Sequence, residues 1–219
     1  MSTERAIELQ ELAWSLQAQG ELEQAFQAAS EALILIEASE GALSLDAANL
    51  LNDLVEIERD RERHAAALVL AEKALSVEDA LGQEHAGEDA ARICLKTATL
   101  LGELHRIKGN YLEAEAHLLR GLATAREFGV DSSEAAGAEN DLAVLYKYWG
   151  RFEQALALYS SALEKVRAIH GDDSLESATL FHNIGGVLHS RGDFAAAEQP
   201  ARKAWDISRQ HLGEDEPRA

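Results

Sequence analysis

Eight histidines and a single cysteine are the side chains best suited to chemistry in this 219-residue chain. His182 and His189 lie seven residues apart on one face of a predicted helix, and His105 is a third that could join them. Three imidazoles would make a zinc or copper ligand set. Seven helical residues, however, separate two side chains by roughly 10 Å, too far for two ligands of one metal without help from other elements. The histidines therefore read as hydrogen-bonded or solvated, and no metal is expected. Cys94 sits in Ala91-Arg92-Ile93-Cys94-Leu95 with no His or Asp beside it; it reads as a buried small residue and not as a nucleophile. No Walker-type phosphate loop, no His-Glu-x-x-His, no Gly-x-Ser-x-Gly and no Cys-x-x-Cys occurs. The expectation is a protein that is not an enzyme and takes no cofactor.

Charge narrows the partners. Thirty-nine acidic residues face 20 Lys and Arg, a formal net charge of −19. That excess repels nucleic acid and anionic membranes, so neither is expected as a partner. The N-terminus lacks the basic and apolar regions of a secretory signal, and no apolar run approaches the ~20 residues that span a bilayer. A lone cysteine allows no internal disulfide. The chain reads as cytoplasmic, with a protein or peptide as partner.

The elements that position these side chains are repeated. Ala25, Ala67, Ala114, Ala155 and Ala197 return at gaps of 42, 47, 41 and 42 residues. Seven residues on, Ala32, Ala74, Gly121, Ala162 and Ala204 form a second small-residue column, followed directly by Leu33, Leu75, Leu122, Leu163 and Trp205. Two small residues seven apart share a helix face and let a neighbouring helix approach closely. Five residues before the first alanine column, Gly20, Gly109, Gly150 and Gly192 mark tight turns, where a left-handed conformation costs glycine little. Glu62 holds that place in the second unit, whose turn is expected to be looser or differently shaped. Seven residues before the turn, Ala13, Val55, Gly102, Ala143 and Gly185 make a third small column. Each unit is thus two amphipathic helices and a turn. In the fourth, helices over about 133–149 and 152–169 are predicted, with Asp131 and Ser132 as caps and Gly171 as terminator. The long gap places about five extra residues around 76–89, as a longer loop or a lengthened helix ending in one. Ala, Leu, Glu and Gln dominate and alternating β-branched runs are missing, so strands are not expected.

Asn140-Asp141-Leu142-Ala143-Val144-Leu145-Tyr146 with Gly150-Arg151-Phe152-Glu153-Gln154-Ala155, and His182-Asn183-Ile184-Gly185 with Gly192-Asp193-Phe194, resemble tetratricopeptide repeats in the long 42-residue form of kinesin light chains. The segments 169–173 and 212–217 are similar to the loop between such repeats. The resemblance implies an all-α fold, a right-handed α-solenoid superhelix of about five helix-turn-helix repeats. It makes 1–219 a single array, with repeats at approximately 4–40, 45–82, 88–129, 132–171 and 174–213.

The same resemblance implies a concave groove lined by the first helix of each repeat. Mapped onto this chain, its candidate peptide-binding residues are Asn49, Asn52, Arg59, Lys96, Arg106, Asn140, Lys147, Tyr148, His182 and His189. Gln17, Arg59, Arg106, Lys147 and His189 share one register, a basic or titratable column in an acidic protein; Asn52, Asn140 and His182 make a second, polar one. Asparagines can hold the backbone of an extended peptide, and Arg and Lys give charge-assisted bonds to a carboxylate. The expected ligand is an acidic or C-terminal segment of a protein partner. Alternatively, Glu56 with Arg59 and Glu103 with Arg106 pair within their own helices and leave a solvated face. Trp14 is the tryptophan best placed for the groove, whereas Trp205 is expected in core or terminal-interface packing. Two further readings stay open: an accessory protein presenting a substrate to a separate enzyme, and a self-associating scaffold. A homodimer through an uncapped C-terminal repeat belongs to the second.

Overall fold

The computed structural model describes residues 2–82, 86–130 and 132–212, and its contacts fall into two compact units, Met1–Gly129 and Val130–Ala219. The first unit holds three helical hairpins: α1 (Ser2–Ala18) with α2 (Leu22–Glu40), α3 (Leu45–Asp60) with α4 (His64–Leu81), and α5 (Glu88–Ile107) with α6 (Tyr111–Glu127). The second holds two: α7 (Ser132–Tyr148) with α8 (Phe152–His170), and α9 (Leu175–Ser190) with α10 (Phe194–Leu212). Among the described residues there is no strand.

One backbone rule closes all five hairpins. Gly20, Gly109, Gly150 and Gly192 take φ of 81°, 80°, 78° and 88°. In each, the glycine N–H donates to the carbonyl three residues back and the next N–H to the carbonyl five back, as in Gly150 to Lys147 at 3.2 Å and Arg151 to Tyr146 at 2.8 Å. These are the paired bonds that satisfy a helix's last carbonyls. The expectation of a looser second turn is corrected. Glu62 itself adopts φ 59°, and Glu62 to Arg59 and Arg63 to Glu58, both 2.8 Å, repeat the pattern. Arg61 holds that turn from the side: its guanidinium bonds Glu58 at 2.5 Å, pairs with Glu23 of α2 and lies 4.8 Å over the Phe26 ring.

Ser44 and Ser174 cap α3 and α9, each accepting a backbone N–H at 3.1 Å. Gly41 and Gly171, at φ 94° and 89°, end α2 and α8. The proposed Asp131 cap and the Ser132 side chain lie outside the described residues. Much of the extra length between the second and third hairpins is helix: α5 has 20 residues where α3 and α9 have 16.

The small-residue columns do what their spacing implies. Ala25, Ala32, Ala67, Ala74, Ala114, Ala155 and Ala162 are fully buried. A methyl group built on Gly121 would stand 2.6 Å from Ala98 Cβ, and one on Gly102 the same distance from Leu118 Cγ; no real pair of carbons approaches that closely. Leu51, Ile57, Leu101 and Leu104 fill the first unit's core, and Leu142, Leu145, Tyr159 and Val187 the second's.

Candidate functional site

In the first unit the exposed faces of α1, α3 and α5 are laced by polar side chains about one repeat apart. Gln10 Nε2 donates to Asp53 Oδ2 at 2.6 Å, and Lys96 Nζ to the other oxygen of Asp53 at 2.9 Å. Lys96 also pairs with Glu56 at 2.9 Å. Gln17 donates to Asp60 at 2.7 Å, and Arg59 pairs with Asp60 at 3.0 Å and Glu103 at 3.3 Å. Glu56, weighed as Arg59's partner in the alternative reading, pairs with Lys96 of α5, and Arg59 finds its partner within α3 in Asp60. Because α3 lies between two similar helices, its charges reach α1 and α5 and tie the three together.

The ladder sets the electrostatics of this face. Burial pulls the Lys96 ammonium down, but Asp53 and Glu56 beside it outweigh that and hold its pKa above the ordinary lysine value. Arg59 is likewise held high, its partial burial outweighed by Asp60, Glu103 and Glu56. These cations are already committed to carboxylates.

Asn52 needs a second correction. It is fully buried, and its amide donates to Thr97 Oγ1 at 2.8 Å, so it ties α3 to α5 instead of facing a ligand. Thr97 also bonds Glu78, whose carboxyl is pushed above the usual range, first by burial. Cys94 is buried beside them, and burial followed by the Glu78 charge raises its thiol to about 11. A thiol at that value is protonated at neutral pH and inert. Asn49 and Arg106 are half-buried on α3 and α5.

The second unit differs. Asn140 of α7 accepts from Asn183 Nδ2 of α9 at 2.8 Å. Lys147 reaches over Gly186, where an added Cβ would sit 3.0 Å from its Nζ; glycine there makes the room. Among the described residues, no carboxylate lies within ion-pair distance of Lys147. Tyr148 and His182 are exposed, and exposed His189 meets the Phe194 ring edge-on at 4.9 Å. Across α7 and α9, Asn140 thus meets Asn183 and Lys147 meets Gly186, whereas His189 packs on Phe194 of α10.

Other expectations divide. His105 stacks on His117 at 5.4 Å, and among the described residues no three His, Cys, Asp or Glu converge as a metal site. Trp14 is about half exposed, and Trp205 is 59 % exposed, so Trp205 is not core. Arg209 lies over its ring at 4.6 Å. No described helix is long and apolar enough to cross a membrane. The sequence reading missed Asp53, Thr97 and Asn183. For Asp53 and Asn183 the signal is a 43-residue spacing, in 10–53–96 and 140–183, one residue longer than the usual repeat; Thr97 lies 45 residues from Asn52 and shares no such signal.

Sequence profiles described as tetratricopeptide repeat match residues 94–165 and 134–210, and another of that description matches 47–87. Among solved structures, BtubC (BKLC) from P. vanneervenii is similar over 100 % of this chain and 92 % of its own, at TM-score 0.75 and 21 % identity. A putative kinesin light chain with nearly identical TPR-like repeats from Podosopora anserina matches over 97 % and 98 %, at TM-score 0.78 and 14 % identity. A Rap protein complexed with competence and sporulation factor matches 94 % of this chain and 54 % of its own, at 0.75 and 13 %. A clustered mitochondria protein homolog of Mycosarcoma maydis is 32 % identical over 65 residues. That stretch is 30 % of this chain and 5 % of the relative, so the chain spans a small part of that protein's length. At these identities the solved structures speak to the fold, an α-solenoid of helical hairpins.

Proposed function

Because this chain belongs to the tetratricopeptide repeat family, a family of protein-interaction modules, we propose that it binds a peptide segment of a partner on the first helices of its hairpins. The acidic side chain or C-terminal carboxylate of that peptide is read at α7 and α9. The supporting observation is the contrast between the units. Lys96 and Arg59 are neutralised by their own ladder, whereas Lys147 meets no described carboxylate and reaches over Gly186, on the helix pair that also holds the Asn140–Asn183 bond. A carboxylate on Lys147 gains a charge-assisted bond without displacing an internal one. The two asparagines offer amide groups to the peptide backbone. Tyr148 lies on the same helix as Lys147, whereas Asn49, Arg59, Lys96 and Arg106 lie on the first helices of the first unit. Selection from a library of displayed C-terminal peptides tests this. Acidic C-termini are expected to be enriched by the wild type and lost with Lys147→Glu, and enrichment that ignores this substitution would overturn the reading.

A second reading rests on Trp205. Its counterpart Leu163 is buried at 6 % exposure while Trp205 is 59 % exposed, so the end of α10 offers an apolar surface for a second copy. Light scattering on wild type and Trp205→Glu decides it: a dimer that the substitution dissolves supports self-association, and two identical monomers exclude it.

A further inference from the structure

The second helices of the first unit carry a repeated acid–base link. Glu37 of α2 meets Lys73 of α4 at 3.0 Å, and Asp79 of α4 meets Arg120 of α6. Counted from the hairpin turn, each acid is at the seventeenth position of one hairpin and each base at the eleventh of the next. In the second unit the same two positions are Arg167 of α8 and Lys203 of α10. Two cations stand where the frame elsewhere brings a carboxylate to a cation. Both line one open cleft of about 540 Å³, floored by Phe181, Ile184 and Leu188 of α9. The Arg167 guanidinium lies 5.3 Å over the Phe181 ring, at the junction of charge and apolar floor.

Pro200 sits inside α10 and shares the cleft lining with Ala196. Proline has no N–H, so the Ala196 carbonyl four residues earlier lacks its helical donor. The lining therefore holds an apolar floor, three cations (Arg167, Arg202 and Lys203) and one carboxylate, Asp206, with Ala196 beside them; Arg202 pairs with Glu198 at 2.8 Å. The other two cations also have partners: Arg167 pairs with Asp172 at 2.7 Å and Lys203 with Asp173 at 2.6 Å. Both aspartates are roughly two-thirds exposed, and such surface pairs are weak enough to exchange for an incoming carboxylate.

We propose that this cleft, on the second-helix side, is a binding site for an acidic–apolar step of a partner peptide. A leucine-like side chain rests on Phe181, Ile184 and Leu188, the neighbouring carboxylate bridges Arg167 and Lys203, and a peptide N–H donates to the Ala196 carbonyl. Charge complementarity selects this occupant: three cations line the cleft against the single carboxylate of Asp206, and the peptide's carboxylate restores the acid–base pattern of the first unit. The site is independent of the α7–α9 face and of Lys147.

The test is titration of ¹⁵N-labelled full chain with blocked N-acetyl-Leu-Glu-amide, followed by amide shifts. Saturable shifts confined to 167–206 are expected, with at least tenfold weaker binding of N-acetyl-Leu-Gln-amide. Arg167→Ser with Lys203→Ser should lose the binding while the remaining spectrum is unchanged. Lys203→Glu is the stable control, because it rebuilds the internal link to Arg167; it should also abolish binding, while Lys147→Glu leaves it intact. Equal binding of the Glu and Gln peptides, saturation by decanoate but not by the peptide, or no saturable shift with either probe would each overturn the proposal.

Discussion

At the turn between α3 and α4, Glu62 holds a φ of 59° in a position that four other hairpins give to glycine. A left-handed conformation costs a side-chain-bearing residue about 1–2 kcal/mol, partly offset by the flexibility glycine adds to the unfolded chain. Glu62→Gly should therefore raise the stability of the first unit by about 0.5–1 kcal/mol in urea unfolding; a loss would mean the carboxylate has a role the backbone does not reveal. The opposite effect is expected in the alanine columns. Ala155 is fully buried against its helix neighbours, and Ala155→Leu should cost ~1–3 kcal/mol through overpacking. A thermally silent variant would contradict the close helix approach. These positions were legible beforehand because size alone decides them. The geometry of the Glu62 turn was not, since it depends on Arg61 reaching Glu58, Glu23 and Phe26 from three directions.

Among the elements, the ladder across α1, α3 and α5 and the histidine stack between α5 and α6 each predict a measurable dependence. Asp53 is 1 % exposed and receives both Gln10 and Lys96. Asp53→Asn leaves a partly buried ammonium short of a charge partner and should cost about 2 kcal/mol, less than a fully buried pair because Lys96 is one-third exposed. The raised Lys96 pKa makes its contribution complete below the ordinary value of 10.5 and progressively lost as pH rises through the higher folded value. His105 and His117 run the other way. Burial lowers both from 6.5; His105 further lowers His117, with Lys108 and Arg120 acting likewise and Glu72 and Glu113 opposing. The unfolded chain then binds more protons just below pH 6.5, so stability falls as the solution is acidified through that window. His117→Leu, matching Leu158 at the same repeat position, should flatten the profile between pH 5 and 7; a profile unchanged in slope would exclude the pair as its cause. Helix order could be read from turn and column spacing, because both repeat. The ladder could not, because its spacings vary, with links of both 43 and 44 residues, and only the packing of α3 against α1 and α5 shows which side chains meet.

For the whole molecule, the family and its all-α hairpins were evident from recurring alanines, glycines and the Asn-Asp-Leu-Ala and Gly-Arg-Phe segments. The basic column was only half informative: sequence register places Arg59, Arg106 and Lys147 alike, yet the acids of the neighbouring repeat decide which charge remains for a ligand. Asn52 shows the same limit from the other direction, an amide in the expected register that folding consumes in a bond to Thr97. The most direct test of a partner-binding array is affinity capture from native lysate with wild type beside Arg106→Glu/Lys147→Glu, read by mass spectrometry. The charge-assisted contact to Lys147, at ~1.5–3 kcal/mol, would by itself weaken binding at least tenfold when lost. A protein retained by the wild type and lost by the double variant, with helicity unchanged, is the expected result. Equal capture by both would contradict peptide binding along the first helices.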